Sequence, residues 1–245
     1  MSKNFELLQQ VAKDKFFNFP CDPAALPLRT SFAIPSKREP PDAEITKLAQ
    51  RLFSQSGKVN GPKVVSFSGI TREDRSSWIC ARTGEALAEQ AETSVCIVEA
   101  NLWSPQLHVH LAAANRIGLV EALNAKGPIR NFAVSLRKRN LWLIPSGLAK
   151  PGISPPLERY RERFAELREA FDYILISAPA LCRETEATFI GQLADGVALI
   201  VEANHSRRET VRRAIEQLES AHVRILGAVL DQRTFPIPEK LYQRL

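Results

Sequence analysis

The chain of 245 residues carries a formal net charge of +6 at pH 7; 44% of its residues are hydrophobic and 24% are charged, a composition typical of a globular protein with a full core. No apolar run reaches the roughly 20 residues of a membrane-spanning helix, and the N-terminus lacks the apolar segment of a signal peptide, so the sequence predicts a cytoplasmic protein without a transmembrane segment. The mild positive charge, without interleaved aromatic residues, argues against nucleic acid as a ligand.

The first part of the chain has two distinct patterns. Residues 4–12 have apolar side chains at helical spacing, and the segment from 18 to 42 is rich in proline, which blocks regular hydrogen-bond ladders and predicts an extended linker or strap. The apolar residues of AEITKLAQRLF (43–53) then recur at helical spacing. We therefore predict an N-terminal extension over 1–43, a domain over 44–235 and a C-terminal tail over 236–245.

Short apolar runs alternate with amphipathic helical stretches through the predicted domain. The runs cover 64–68, 94–100, 141–146, 173–178, 196–203 and 225–230. Near-continuous apolar strands between such helices are typical of a parallel sheet covered on both faces. The sequence therefore predicts a doubly wound α/β fold with a mostly parallel sheet, flanked by helices on both faces, as in P-loop NTPases.

The charged helices and the cysteines have ordinary structural interpretations. Arg and Glu alternate in ERYRERFAELRE (158–169), a pattern typical of a solvated helix face. The cysteines at 21, 80, 96 and 182 show no CxxC spacing, and Cys80 and Cys96 lie in apolar stretches where buried free thiols are expected. The sequence predicts no metal site.

The segment after the first strand, SGITREDRSS (68–77), has the outline of a phosphate-binding loop. Such a loop uses glycine to bring N–H groups against phosphate, a lysine on the β- and γ-phosphates, and a Ser or Thr hydroxyl on magnesium. Here Gly69 remains at its front edge, Arg75 takes the position of the lysine, and Ser76 and Ser77 open a helix. Arg72 and Asp74 occupy the positions where loop glycines are expected.

Three motifs in this order resemble those of the bacterial tyrosine kinases (BY-kinases) of capsular and exopolysaccharide systems, within the MinD/ParA-type branch of P-loop ATPases. Family members typically read SAxPGEGKST after strand one, DxDxRxPxLH after strand two and DxPP after strand four. The corresponding segments here are SGITREDRSS (68–77), EANLWSPQLH (99–108) and SAPA (177–180). LWLIPSG (141–147) and the stretch from 192 to 231 also resemble family segments.

The resemblance implies a protein-tyrosine kinase whose aspartates organise magnesium at the ends of the second and fourth strands. In this chain those positions hold Glu99, Asn101 and Ser177, and Arg75 replaces the loop lysine. Magnesium demands short oxygen bonds in octahedral geometry, and phosphoryl transfer depends on the metal and the lysine. We interpret the chain as a catalytically degenerate member with no expected cofactor; ATP and magnesium belong only to the alternative of an active autokinase.

Weak nucleotide binding remains an alternative at the same edge of the sheet. A helix N-terminus beside arginines is a plausible anion site, and the candidate residues are Gly69, Arg72, Arg75, Ser76, Ser77, Asp231 and Arg233. The favoured interpretation is that the arginines are solvated or pair with Glu73, Asp74 or Glu99. His108 and His110 flank Val109, and we interpret them as loop histidines rather than metal ligands.

Tyrosine and charge positions bear on regulation and assembly. BY-kinases often carry a C-terminal tyrosine cluster, whereas only Tyr242 lies in this tail; it is the phosphorylation candidate, although a structural strap is the favoured interpretation. The family's ring-forming Glu/Arg motif has its nearest matches in Glu44, Lys47 and Arg51. Their spacing is imperfect, so ring assembly is not expected, while self-association stays open.

The function that these expectations favour is a regulatory or scaffolding role in polysaccharide synthesis or export. The implied partners are the cytoplasmic tail of a membrane co-polymerase or an active BY-kinase paralogue, with peripheral location at the inner membrane through that partner. The alternatives are an active autokinase with a remodelled site, and a MinD/ParA-like positioning factor that binds membrane or DNA. The sequence lacks the basic amphipathic terminal helix that a MinD/ParA-like positioning factor is expected to have.

Overall fold

The computed structural model describes residues 42–53, 61–71, 75–90, 93–136, 140–148, 156–182 and 185–232. The strands are β1 (Val64–Gly69), β2 (Val95–Glu99), β3 (Val134–Ser135), β4 (Leu141–Ile144), β5 (Tyr173–Ser177), β6 (Gly196–Glu202) and β7 (Ile225–Asp231). The α-helices are α1 (Asp42–Phe53), α2 (Ser76–Gln90), α3 (Leu107–His110), α4 (Leu119–Asn124), α5 (Leu157–Ala170), α6 (Thr185–Leu193) and α7 (Arg208–Ser220). A 3₁₀ turn covers Ile129–Phe132.

The strands form one sheet with the order β3-β4-β2-β5-β1-β6-β7. Every pairing is parallel except the antiparallel β3–β4 pair at one edge. The predicted α/β class is confirmed, and the six predicted strands are all present. Strand β3 was not predicted because two residues are too short to show a hydrophobic period.

The central strands of the sheet are buried on both faces, which explains their near-continuous apolar sequences, whereas the edge strands β3 and β7 are partly exposed. All residues of β1 and β2 are buried. One face packs mainly against α1 and α2, while α5, α6 and α7 contribute to the apolar clusters of the other face. Because each strand needs apolar side chains on both sides, alternation between polar and apolar residues is absent from the sequence.

Helix α2 is central to the position of the site. It follows β1, and its Ile79, Thr83 and Leu87 are buried, as the spacing predicts. Gly84 lies against Ile97 of β2, where an added Cβ would meet the Ile97 side chain at 2.5 Å. This close approach of α2 to the sheet fixes where the first turn of the helix, and therefore Ser76 and Ser77, lies relative to the strand ends.

The prediction of a solvated arginine-rich face on α5 is wrong for one residue. Arg163 is buried, and its guanidinium donates to the carbonyl oxygens of Ala122 at 2.7 Å and Gly127 at 2.8 Å, and also to that of Ala125. It also contacts Glu166 at 2.7 Å. A planar group with five N–H donors satisfies several carbonyls at once, so this arginine joins α5 to the segment after α4.

We expect Arg163→Ala to lower the free energy of unfolding by about 3 kcal/mol or more, because the buried carbonyl oxygens lose their donors. Arg161→Ala on the same helix is the matched control. Arg161 is exposed; it pairs with the exposed Glu158, and its guanidinium lies 5.8 Å from the centre of the Phe189 ring, so this change should alter stability by less than about 1 kcal/mol. Urea unfolding of both variants checks this. Equal effects at the two positions would contradict the structural role of Arg163.

Several predictions lie outside the described residues. These are the helix over 4–12, the proline-rich segment and the tail with Tyr242, and the domain limits at 43 and 235 stay predictions. Within the described ranges, no helix is long and apolar enough to cross a membrane.

Candidate functional site

Polar residues that the sequence motifs single out lie together at the carboxyl ends of β1, β2 and β5. Ser77 Oγ lies 2.9 Å from Ser177 Oγ, and both side chains are buried. Glu99 is the direct neighbour of Ser177 in the β2–β5 register, and the Ser177 hydroxyl hydrogen-bonds to its carboxylate. The structure therefore places the three positions in one network.

The Glu99 carboxylate is fully buried, and the loop that follows β2 already supplies its hydrogen bonds. One oxygen, Oε2, accepts the backbone N–H groups of Gln106 and Leu107, each at 2.8 Å. The other, Oε1, accepts the N–H of Asn101 at 3.3 Å, and the carboxylate also accepts the Ser177 hydroxyl. The hydrogen bonds to both oxygens thus stabilise the turn between β2 and α3.

The protonation of Glu99 is set by two opposed effects. Burial raises its pKa to about 7, while the hydrogen bonds from Leu107, Gln106, Ser177 and Asn101 favour the ionised form and limit the rise. Cys80 lies close enough that the Glu99 charge, after burial, contributes to raising the pKa of the thiol. The carboxyl group therefore changes charge near neutral pH.

A folded-state pKa of about 7, above that of the unfolded chain, means that the folded protein binds the proton more tightly. The contribution of Glu99 to stability should therefore decrease as the pH rises from about 4.5 to 7, by up to about 3 kcal/mol, and stay constant above 7. Glu99→Gln should remove this pH dependence, because the amide does not titrate. Chemical unfolding of both proteins between pH 5 and 8 measures the difference.

The glutamine that replaces Glu99 has one acceptor oxygen fewer in the buried network. The Glu99→Gln variant should therefore be less stable than the parent at pH 5 by about 1–3 kcal/mol. The deficit should shrink as the pH increases. A constant deficit over the whole range would show that Glu99 keeps the same charge throughout and would contradict the prediction.

Arg75, at the position of the family's lysine, is directed across the sheet. Its Nη1 lies 3.7 Å from Asp231 Oδ1 at the end of β7, and its guanidinium carbon lies 4.0 Å from the centre of the Trp78 ring. The side chain is 17% exposed. The expectations of a solvated side chain and of a pair with Glu99 are wrong for this residue: among the described residues its acidic partner is Asp231, whereas Glu73 and Asp74 lie outside them.

The sequence placed Arg75 and Asp231 in one nucleotide site without predicting that they pair with each other. Because β6 lies between β1 and β7, the ion pair spans β6 at the carboxyl edge. Nη1 of Arg75 and Oδ2 of Asp231 are both buried without a hydrogen-bond partner, so the contact is electrostatic rather than a close hydrogen bond. It joins the start of α2 to the end of β7.

We expect a double-mutant cycle between Arg75→Gln and Asp231→Asn to give a coupling free energy of about 1 kcal/mol or more, since each single change leaves a poorly solvated charge without its partner. Thermal or urea unfolding of the four proteins gives the value. Additive effects would mean that the two charges act independently.

The remaining candidates occupy ordinary structural positions. Gly69 ends β1, and its carbonyl accepts the Leu181 N–H at 3.0 Å. Ser76 is buried in the first turn of α2. Asn101 Oδ1 accepts the Ser104 N–H at 3.2 Å, so its side chain serves its own loop. Arg72, Arg233 and Tyr242 lie outside the described residues.

The two histidines do not form a ligand set with acidic residues. His110 is half-buried; burial and then the Arg75 charge lower its pKa. Burial lowers that of His108, whose Nδ1 has no hydrogen-bond partner. Among the residues that the structure describes, no group of three or more His, Cys, Asp or Glu side chains is arranged to hold a metal ion.

The side chains of Glu44, Lys47 and Arg51 are all exposed on α1. They leave the helix on the side away from its buried Ile45, Ala49 and Leu52. This stripe is accessible for contact with another protein.

Curated relatives agree with the motifs. The chain is 23% identical over 171 residues to the tyrosine-protein kinase YwqD of Bacillus subtilis, covering 69% of this chain and 72% of the relative. It is 24% identical over 180 residues to the tyrosine-protein kinase CpsD of Streptococcus agalactiae, with 72% and 77% covered. The chain is a homologue of the bacterial tyrosine kinases. No family model matches it.

This homology extends to a much longer relative. The succinoglycan biosynthesis transport protein ExoP of Rhizobium meliloti is 23% identical over 182 residues, which cover 69% of this chain but 22% of ExoP. The matching region of ExoP is therefore one part of a larger transport protein.

Solved structures of a kinase domain and of a cell division protein have the same fold as this chain. The VpsO kinase domain superposes with a TM-score of 0.69 at 20% identity, covering 79% of this chain and 95% of that domain. The MinD cell division protein of Aquifex aeolicus superposes with a TM-score of 0.60 at 22% identity, with 74% and 72% covered. The resemblance to BY-kinases and to the MinD/ParA fold is confirmed.

Proposed function

We propose that this BY-kinase homologue is catalytically degenerate and acts as a regulatory or scaffolding component of capsular or exopolysaccharide biosynthesis or export. The observation that carries the proposal is the state of Glu99. Its two oxygens accept three backbone N–H groups and the Ser177 hydroxyl, so the carboxylate is engaged in folding its own loop.

The donor set is a poor match to a magnesium–triphosphate complex. Magnesium takes six oxygens at short distances, typically one or two carboxylates besides phosphate and water. Here Ser177 offers a neutral hydroxyl, and the Asn101 side-chain oxygen accepts a hydrogen bond from the Ser104 N–H. Both carboxylate oxygens of Glu99 already accept hydrogen bonds from the protein. We therefore assign no magnesium and no nucleotide cofactor to the protein.

The position of Arg75 supports the same proposal. In P-loop enzymes a lysine neutralises charge on the β- and γ-phosphates. Arg75 lies over Trp78 and beside Asp231, so its charge already has a protein partner. Releasing it for a ligand would leave the buried Asp231 carboxylate uncompensated, which is costly.

The relatives support the proposed pathway and partners. YwqD and CpsD are tyrosine-protein kinases, and ExoP is a succinoglycan biosynthesis transport protein. Because a homologous region is part of ExoP itself, we propose that this separate chain binds the cytoplasmic tail of a membrane co-polymerase, or an active kinase paralogue. It would then act in the cytoplasm, at the inner membrane through that partner.

Calorimetric titration with ATP and ADP, with and without magnesium, tests the proposal. We expect no magnesium-dependent binding up to about 1 mM nucleotide, which corresponds to a binding free energy weaker than about −4 kcal/mol. Incubation with ATP and magnesium should leave Tyr242 unphosphorylated, as checked by mass spectrometry. The CpsD kinase, treated identically, is the positive control for both assays.

Two results would overturn the proposal. Micromolar, magnesium-dependent ATP binding would restore the active autokinase, particularly with phosphate on Tyr242. Salt-sensitive binding to anionic vesicles or to duplex DNA would favour a MinD/ParA-like positioning factor instead. Weak binding without magnesium that is lost in Arg75→Gln is compatible with a residual anion site and leaves catalysis absent.

A further inference from the structure

Strand β7 is an edge of the sheet, and it is exposed in a way that the other strands are not. Its residues 227, 228 and 230 are exposed, whereas Asp231 is buried. Leu230 is 53% exposed. A Cβ added to Gly227 would meet no atom within 4 Å. The strand is therefore open at Gly227, Ala228 and Leu230, while Val229 packs partly against the core.

Some backbone N–H and C=O groups of β7 point away from the sheet. The carbonyl of Asp231 accepts the Ala203 N–H, which places it on the β6 side. Because backbone groups alternate in direction along a strand, the N–H and C=O of Ala228 and Leu230 point away from β6. No strand pairs with that side among the described residues. An edge of this kind is a template for another strand.

The two edges of the sheet differ in how they discourage pairing. At the far edge, β3 has only two residues, and the sequence continues within two residues into Arg137, Lys138 and Arg139. Short length and nearby charge are common protections of an edge. Strand β7 has seven residues, ILGAVLD, without proline. Its start carries two such protections: Arg224 precedes it, and a register shift against β6 leaves Leu226 unpaired between Ile225 and Gly227. The stretch from Gly227 to Leu230 has neither a charge nor a bulge.

We propose that β7 is a self-association edge, at which two copies of this chain pair antiparallel about a two-fold axis and continue the sheet. With Ala228 on the axis, Ala228 faces Ala228 and Gly227 faces Val229, while Leu230 lies opposite the irregular start of the partner strand. Every one of these pairs is apolar, and no like charges are opposed. The outward Ala228 groups exchange both of their hydrogen bonds.

A second copy is the occupant that the strand itself specifies. A symmetric contact needs one surface that is complementary to itself, and the sequence around Ala228 provides it. A foreign strand would need its own unprotected edge, whereas a second copy always presents an identical one. Two edges of seven residues bury little area, so the dimer should be weak and reversible. This proposal does not rest on the loss of catalysis.

Sedimentation of the full chain from about 5 to 500 µM, the range in which small interfaces dissociate, tests the proposal. We expect a reversible monomer–dimer equilibrium that Leu230→Lys weakens at least tenfold, because the two-fold axis brings both charges into the contact. Ile117→Lys is the matched control: Ile117 is 55% exposed and precedes α4 at the other end of the sheet, so its change should leave dimerisation unaltered. Unchanged circular dichroism would show that the variants fold.

Hydrogen exchange provides the second measurement. The amides of Ala228 and Leu230 should exchange more slowly at high than at low protein concentration, and Ala228→Pro, which removes an outward N–H, should abolish the dimer. A monomer throughout the range would overturn the proposal, as would a dimer insensitive to Leu230→Lys and Ala228→Pro. Protection that does not depend on concentration would show that another part of the same chain covers the edge, and would also overturn it.

Discussion

The site depends on one constraint: a parallel sheet buried on both faces collects the polar ends of its strands at a single edge, where these groups must satisfy each other. A bound ligand or metal can meet part of that demand. Here Glu99 is satisfied by the amides of Asn101, Gln106 and Leu107, and Arg75 has Asp231. The hydrogen bonds of Glu99 offset the desolvation of a buried carboxylate, whereas Arg75 Nη1 and Asp231 Oδ2 have no hydrogen-bond partner and depend on the attraction between the two charges.

The convergence of parallel strand ends at one edge of the sheet explains how much of the site was predictable from the sequence. Apolar runs located the six main strands, and parallel order then placed Ser77, Glu99 and Ser177 together, as the structure has them. The family motifs indicated which of these strand ends correspond to the catalytic ends in BY-kinases. Neither kind of reasoning requires knowledge of side-chain direction, because the convergence follows from the backbone alone.

The contacts that were missed depend on side-chain direction across long sequence separations. Arg75 and Asp231 are 156 positions apart, and only the sheet order, with β6 between them, shows that an arginine can reach. Arg163 lies within an alternating charge pattern whose other charged members are exposed or half-buried, and its burial follows from the carbonyls that α4 and the segment after it present to it. Strand β3 is too short to leave a pattern.

The Ser77–Ser177 pair has no fixed polarity, since either hydroxyl can donate. When Glu99 is ionised, Ser177 must donate to it, and Ser177 then accepts from Ser77. When Glu99 carries its proton, it can donate to Ser177, and the direction of the whole chain of hydrogen bonds can invert. Uptake of one proton at the strand ends is therefore accommodated by rotating two hydroxyl groups, without moving the backbone of β2, β5 or α2.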